Sequence, residues 1–68
     1  MNVHLSARES EILMHLKQGK TNKDIASSLN IAVGTVKLHV NSIFRKMGVS
    51  NRTQAVFSSA EESAHSLN

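Results

Sequence analysis

The residue types best suited to act on a ligand fall in one short run, GTVKLHVN, from Gly34 to Asn41. Lys37 carries an ammonium that can donate to guanine N7 and O6. Asn41 carries an amide that can pair with adenine N6 and N7, and Leu38 offers the kind of apolar surface that packs on a thymine methyl. On a helix, Val36 and Val40 share one face, a turn apart. Leu38 then sits at about 200° from Val36, close to Gly34, Asn41 and Arg45, on the side turned away from the core. An exposed leucine is by itself ordinary; set in a polar face among these groups, it also suits contact with the edges of base pairs. Gly34, with no side chain, leaves room for close approach. Thr35, His39 and Lys46 line a separate flank.

Other chemistries find less support. The four histidines, His4, His15, His39 and His65, are scattered along the chain, and no metal site is expected of them. There is no cysteine, hence no disulfide framework or thiolate site. Catalysis needs a pocket with paired or perturbed groups, and a chain of 68 residues builds a thin core with little room for one. No enzyme activity, cofactor or metal is expected. No long apolar run suggests a membrane span or a leader, so the expected location is the cytoplasm.

Charge points to a polyanion. Of eight basic residues, seven lie between Lys17 and Arg52 (Lys17, Lys20, Lys23, Lys37, Arg45, Lys46 and Arg52), accompanied there only by Asp24. Arg8 and the other four acids, Glu9, Glu11, Glu61 and Glu62, lie outside that segment. A basic middle between acidic ends suits nucleic acid; the plain alternative is a solubilising surface.

The elements that must position these groups are legible from caps and periods. Ser6 and Glu9 form a capping box that opens a first helix carrying Ile12, Leu13 and Leu16 inward, with Gly19 as its stop. Thr21 and Asp24 form a second box, opening a helix with Ile25, Ala26 and Leu29 on its inner face and Asn30 as a left-handed end. Ile31 is expected to be buried in the turn. A third helix, Val33 to Met47, has an inward stripe of Val36, Val40, Ile43, Phe44 and Met47, and stops at Gly48 with Val49 as the apolar contact beyond the cap. A fourth starts near Ser50 and turns Ala55 and Val56 inward. Residues 1–4 and 61–68 are expected to be disordered or frayed, leaving residues 5–60 as the domain. The fold expected is all-α, a four-helix bundle-like domain. Only Asn30, Ile31 and Ala32 join helices two and three, which forces the sharp crossing of a helix-turn-helix. In such a motif the start of the second helix reaches bases. The amides opening helix two, with Thr21, Asn22 and Lys23 beside them, suit phosphates, as do Thr35, His39, Lys46 and Arg52.

The segments LSARESEIL and GKTNKDIASSLNIAVGTVKLHVNSIFRKMGVSNRTQAV together resemble the LuxR-type (NarL/FixJ-type) DNA-binding domain. The match runs from Leu5 to about Val56. It rests on separated elements in order: Arg8-Glu9, Asn22-Lys23, Ile25-Ala26, Thr35-Val36-Lys37, His39, Lys46, Gly48-Val49 and Asn51-Arg52. The resemblance implies a four-helix domain that regulates bacterial transcription by binding double-stranded DNA, its third helix in the major groove, as a dimer on inverted half-sites. RNA polymerase is a further partner expected of such a regulator. By position, base contacts fall on Lys37, Leu38 and Asn41, and backbone contacts on Thr21, Asn22, Lys23, Thr35, His39, Lys46 and Arg52. One departure is Ala32, where the family usually has serine; alanine is a poor cap and costs about 1 kcal/mol. Family members usually carry the domain at the end of a longer protein, so the chain reads as an isolated output domain or a short free-standing regulator.

Helix four adds a hint of its own. Phe57 lies about 100° beyond Val56, and with Thr53 and Ala60 it makes a small self-complementary patch. Such a patch suits a weak homodimer, or one formed only on DNA; the alternative is an edge to a thin core. The main functional rival is a protein-interaction module that presents the helix-turn-helix face to a partner groove, with Leu38 as its anchor. The basic surroundings favour DNA. A sigma-factor promoter-reading domain shares a similar helix-turn-helix, and the full set of elements argues against it.

Overall fold

The computed structural model describes residues 4–58. Among them are four helices and no strand: α1 (Ala7–Lys17), α2 (Asn22–Leu29), α3 (Val33–Met47) and α4, helical from residue 52 to 58. His4 is exposed and outside any helix. The rest of the segment 1–4, the tail 61–68 and Ala60 lie outside the described residues.

Local chemistry sets the starts of α1, α2 and α4 and the ends of α1, α2 and α3. Ser6 Oγ accepts from the Glu9 amide at 3.0 Å while Glu9 Oε1 accepts from the Ser6 amide at 2.8 Å. Thr21 and Asp24 repeat the exchange at 3.1 and 3.3 Å. Both predicted boxes are therefore formed. Ala32 opens α3 with no side-chain cap. The start of α4, expected near Ser50, is capped by Asn51. Asn51 Oδ1 accepts from the Gln54 amide at 2.9 Å, and Gln54 Oε1 accepts from the Ser50 amide at 2.8 Å.

The exits of α1, α2 and α3 share one device. Gly19, Asn30 and Gly48 have φ of 80°, 57° and 70°. In each case the next residue's amide bonds back to the carbonyl five before it: Lys20 to His15, Ile31 to Ala26 and Val49 to Phe44. These are Schellman ends, and they reverse the chain within two residues.

Core packing follows the predicted stripes. Ile12, Leu13, Leu16, Ile25, Ala26, Val36, Val40 and Ile43 form the buried cluster; Leu5, Leu29, Ile31, Phe44, Met47 and Val56 pack around it. Ala55 brings α4 to the interior. The small Ala26 side chain, buried in α2, leaves space for α3 to approach, and Val36 is fully buried there. Ile31, expected to be buried, is only partly so, because the short turn holds it at the rim. α3 packs on both α1 and α2, so its orientation is set from two sides.

Candidate nucleic-acid interface

With Val36, Val40 and Ile43 buried, the opposite side of α3 is presented outward. Leu38 is 71 % exposed, and Gly34, Thr35, Lys37, Asn41, Arg45 and Lys46 are exposed with it. A Cβ placed on Gly34 would meet nothing within 4 Å, and its φ is an ordinary negative one. The fold therefore makes no demand for glycine at that position.

Beside this face lies an open cleft of about 430 Å³. Its floor is Leu16, Val40 and Phe44, and its rim is Thr21 and Asn22 from the start of α2, Lys37 and Asn41 from α3, and Arg52 from the start of α4. Three elements distant in sequence thus bring two cations, two amide side chains and a hydroxyl to one opening. The Thr21 oxygen serves the α2 cap as acceptor and keeps its proton for donation. The backbone amides of Asn22 and Lys23 are among the first of the helix, where no intrahelical carbonyl reaches them.

Not every predicted contact is gathered there. Lys23, Thr35, Leu38 and His39 lie outside the cleft lining; Lys23, Thr35 and Leu38 are exposed and His39 is half-buried. Lys46 also lies outside the lining and meets an acid. Its Nζ lies 2.7 Å from Glu9 Oε1.

Glu9 is the residue that sequence reasoning assigned too small a role. It was legible as the carboxylate of a capping box, yet it is also 4 % exposed and accepts from Ser42 Oγ at 2.6 Å and Lys46 Nζ at 2.7 Å. These bonds hold its carboxyl at about 2, well below its ordinary 4.5: the Lys46 bond acts most, then Ser42, then the Ser6 amide, against an opposing push from burial. The available signal was the Ser42–Lys46 spacing, one helical turn on the flank of α3. The Arg8–Glu11 pair at 3.3 Å is exposed at both ends and contributes little. Lys20 Nζ and His15 Nδ1 meet at 2.9 Å.

On α4, Thr53 and Phe57 both face solvent, Phe57 at 67 % exposure. They border an open groove of about 510 Å³ that also touches Leu16, Lys17, Gly19, Arg52 and Val56. Among the described residues no group of three or more histidine, cysteine or acidic side chains is placed to hold a metal, and no helix is long and apolar enough to cross a membrane.

Comparison with known proteins agrees with this geometry. The family described as "Bacterial regulatory proteins, luxR family" matches residues 3–59. A putative HTH-type transcriptional regulator, YhjB of Escherichia coli K12, is 55 % identical over 51 residues, 75 % of this chain and 26 % of that protein. The transcriptional regulatory protein LiaR of Bacillus subtilis is 51 % identical over 51 residues, 75 % of this chain and 24 % of its own length. The chain thus spans about a quarter of the length of these curated relatives. Among solved structures, the response regulator ChrA of a heme-sensing two-component system superposes with a TM-score of 0.83 at 44 % identity, covering 91 % of this chain and 31 % of that one. The DNA-binding domain of the response regulator ComA, solved in complex with the anti-activator RapF, superposes with a TM-score of 0.77 at 37 % identity, covering 79 % and 93 %.

Proposed function

The chain belongs to the luxR family of bacterial regulatory proteins, a family of DNA-binding transcription regulators, and from that premise we propose that it reads double-stranded DNA with α3 in the major groove, as a dimer on inverted half-sites. Lys37, Leu38 and Asn41 are the base-reading residues. Lysine and asparagine supply donors and acceptors that match guanine and adenine edges, and Leu38 meets a thymine methyl. Thr21, Asn22, Lys23, Thr35, His39 and Arg52 hold the phosphate backbone and set the register. The Thr53–Phe57 face of α4 joins two copies weakly, so that pairing is completed on DNA. The site of action is the bacterial cytoplasm, where the chromosome and RNA polymerase are met.

One observation carries this reading: the cleft that places Thr21, Asn22, Lys37, Asn41 and Arg52 around one opening beside the exposed Leu38 ridge. Backbone-holding and base-reading groups are adjacent, as a groove-binding surface requires.

Selection from a pool of random duplex DNA at near-physiological salt tests it. Enrichment of an inverted repeat is the expected result. Salt-sensitive background binding without enrichment would sink sequence-specific reading by this chain. A second reading, in which the same face docks a protein, draws support from the ComA domain's complex with an anti-activator. Binding to a protein partner would survive salt that strips DNA, since each phosphate neutralised adds about 0.9 to the salt slope.

A further inference from the structure

Every side-chain hydrogen bond among the described residues joins positions at most five apart, except two, and both of those end on Glu9. Ser42 Oγ donates to Glu9 Oε2 at 2.6 Å, and Lys46 Nζ to Oε1 at 2.7 Å. Both donors stand on α3, one turn apart, while the same carboxylate closes the cap of α1 through the Ser6 amide. One buried anion therefore joins the start of α1 to the flank of α3.

The apolar core cannot do this job alone. Burial of Val36, Val40 and Ile43 against α1 and α2 decides which face of α3 turns inward, but hydrophobic attraction is non-directional and fixes the last few degrees of rotation about the helix axis less sharply than a hydrogen bond does. A side-chain tip stands about 5–6 Å from that axis, so a rotation of about 10° moves it by roughly 1 Å. That is enough to break a base contact, whose donor and acceptor must come within about 3.2 Å. Charge-assisted hydrogen bonds are short and directional, and here two of them grip α3 on the flank beside the reading face.

We propose that Glu9 is a positioning residue for base reading: through Ser42 and Lys46 it sets the rotation of α3 in the groove, and Lys46 serves this grip instead of a DNA phosphate. The inference rests on the DNA-binding reading above. It assigns Lys46 differently from Lys23, although both are surface lysines of the same helix-turn-helix.

The test compares Glu9→Gln, Lys46→Met, the double variant and Lys23→Met. Glutamine keeps the cap acceptor, since either Glu or Gln closes a capping box, and methionine keeps most of the Lys46 stem. Two quantities are read at a temperature where circular dichroism shows each variant folded. One is the affinity ratio between the selected inverted repeat and a random-sequence duplex. The other is the slope of log affinity against log salt on the random duplex. Glu9→Gln and Lys46→Met are each expected to lower the ratio at least about tenfold with the slope kept, and the double variant to be no worse than the lower single. Lys23→Met is expected to make the slope shallower by about 0.9 with the ratio kept. Lys46→Arg restores the ion pair and is expected to hold the ratio within about twofold. Ser42→Ala, which removes one bond, is expected to lower the ratio about threefold.

A Lys46→Met slope shallower by about 0.9, with the ratio intact, would make Lys46 a phosphate ligand and overturn the proposal. So would unchanged ratios in Glu9→Gln and Lys46→Met accompanied only by lower melting temperatures, which is the signature of a residue that merely stabilises the fold. If the wild-type chain enriches no site, the DNA-reading proposal fails first, a result visible before any variant is made, and this one falls with it.

Discussion

Two helix starts in this chain are built from the same local chemistry and end in different places. At α1, Ser6 and Glu9 exchange hydrogen bonds at 3.0 and 2.8 Å; at α2, Thr21 and Asp24 do so at 3.1 and 3.3 Å. Glu9 is covered by α3 and carries two long-range bonds, whereas Asp24 stays exposed. The difference does not lie in the box. It lies in what packs over it, and in the extra methylene that gives glutamate its reach. A capping carboxylate left in water closes one helix. Covered by a second helix that brings a hydroxyl and an ammonium, it becomes a joint between elements, while the open box at α2 leaves its helix start beside the cleft for a ligand.

The largest test of that contrast is to delete each acid. Asp24→Ala removes an exposed cap partner and is expected to lower the melting temperature by about 3 °C. Glu9→Ala is expected to lower it roughly three times as far, because Ser42 and Lys46 are left without their acceptor. Equal losses measured by thermal unfolding would mean that the long-range bonds add nothing.

Acid titration gives the next largest effect. The Glu9 carboxyl is depressed in the folded chain, from 4.5 to about 2, so below 4.5 the unfolded state binds the proton more readily. The stability it contributes is fully present above pH 4.5 and is lost as pH falls toward 2. Denaturant midpoints across that window should decline more steeply in the wild type than in Glu9→Gln. Parallel curves would remove the carboxylate from the account.

A third helix start sharpens the comparison from the other side. Ala32 holds extended backbone, φ −72° and ψ 148°, and makes no side-chain cap bond. Ala32→Ser supplies the missing acceptor and is expected to stabilise the fold by about 1 kcal/mol, raising the melting temperature by a few degrees. No gain would show that the first turn of α3 already finds other partners. Smallest in stability is Leu38→Ala: with the side chain 71 % exposed, melting should shift by less than about 2 °C, while discrimination falls at one base pair of the selected site. A drop of many degrees would place Leu38 in the core and refute the orientation of α3.

What the sequence disclosed follows from how far each interaction reaches. The boxes at Ser6 and Thr21, the left-handed Asn30 and the stripe from Val36 to Ile43 depend on neighbours within a few turns, and all are found where spacing put them. The start of α4 was legible only as near Ser50, because serine and asparagine both cap well; Asn51 takes the role, with Gln54 three positions on as its partner. The cleft rim joins Thr21 to Arg52, and no periodicity links positions so far apart; local chemistry and the family resemblance each named those residues singly, and neither showed that they share one opening. Glu9 was hidden by sufficiency. Its local role explained its presence completely, and its other partners lie 33 and 37 residues away.

The outward stripe of α3 has a consequence for how such a protein changes over generations. Lys37, Leu38 and Asn41 take part in no side-chain hydrogen bond among the described residues, and all three are exposed. Substitutions there leave the core, the caps and the Glu9 joint untouched. On the proposed reading of these residues, new target preferences are therefore accessible by single replacements without a loss of foldedness to be repaired first, and the same scaffold can be inherited intact while what it reads drifts.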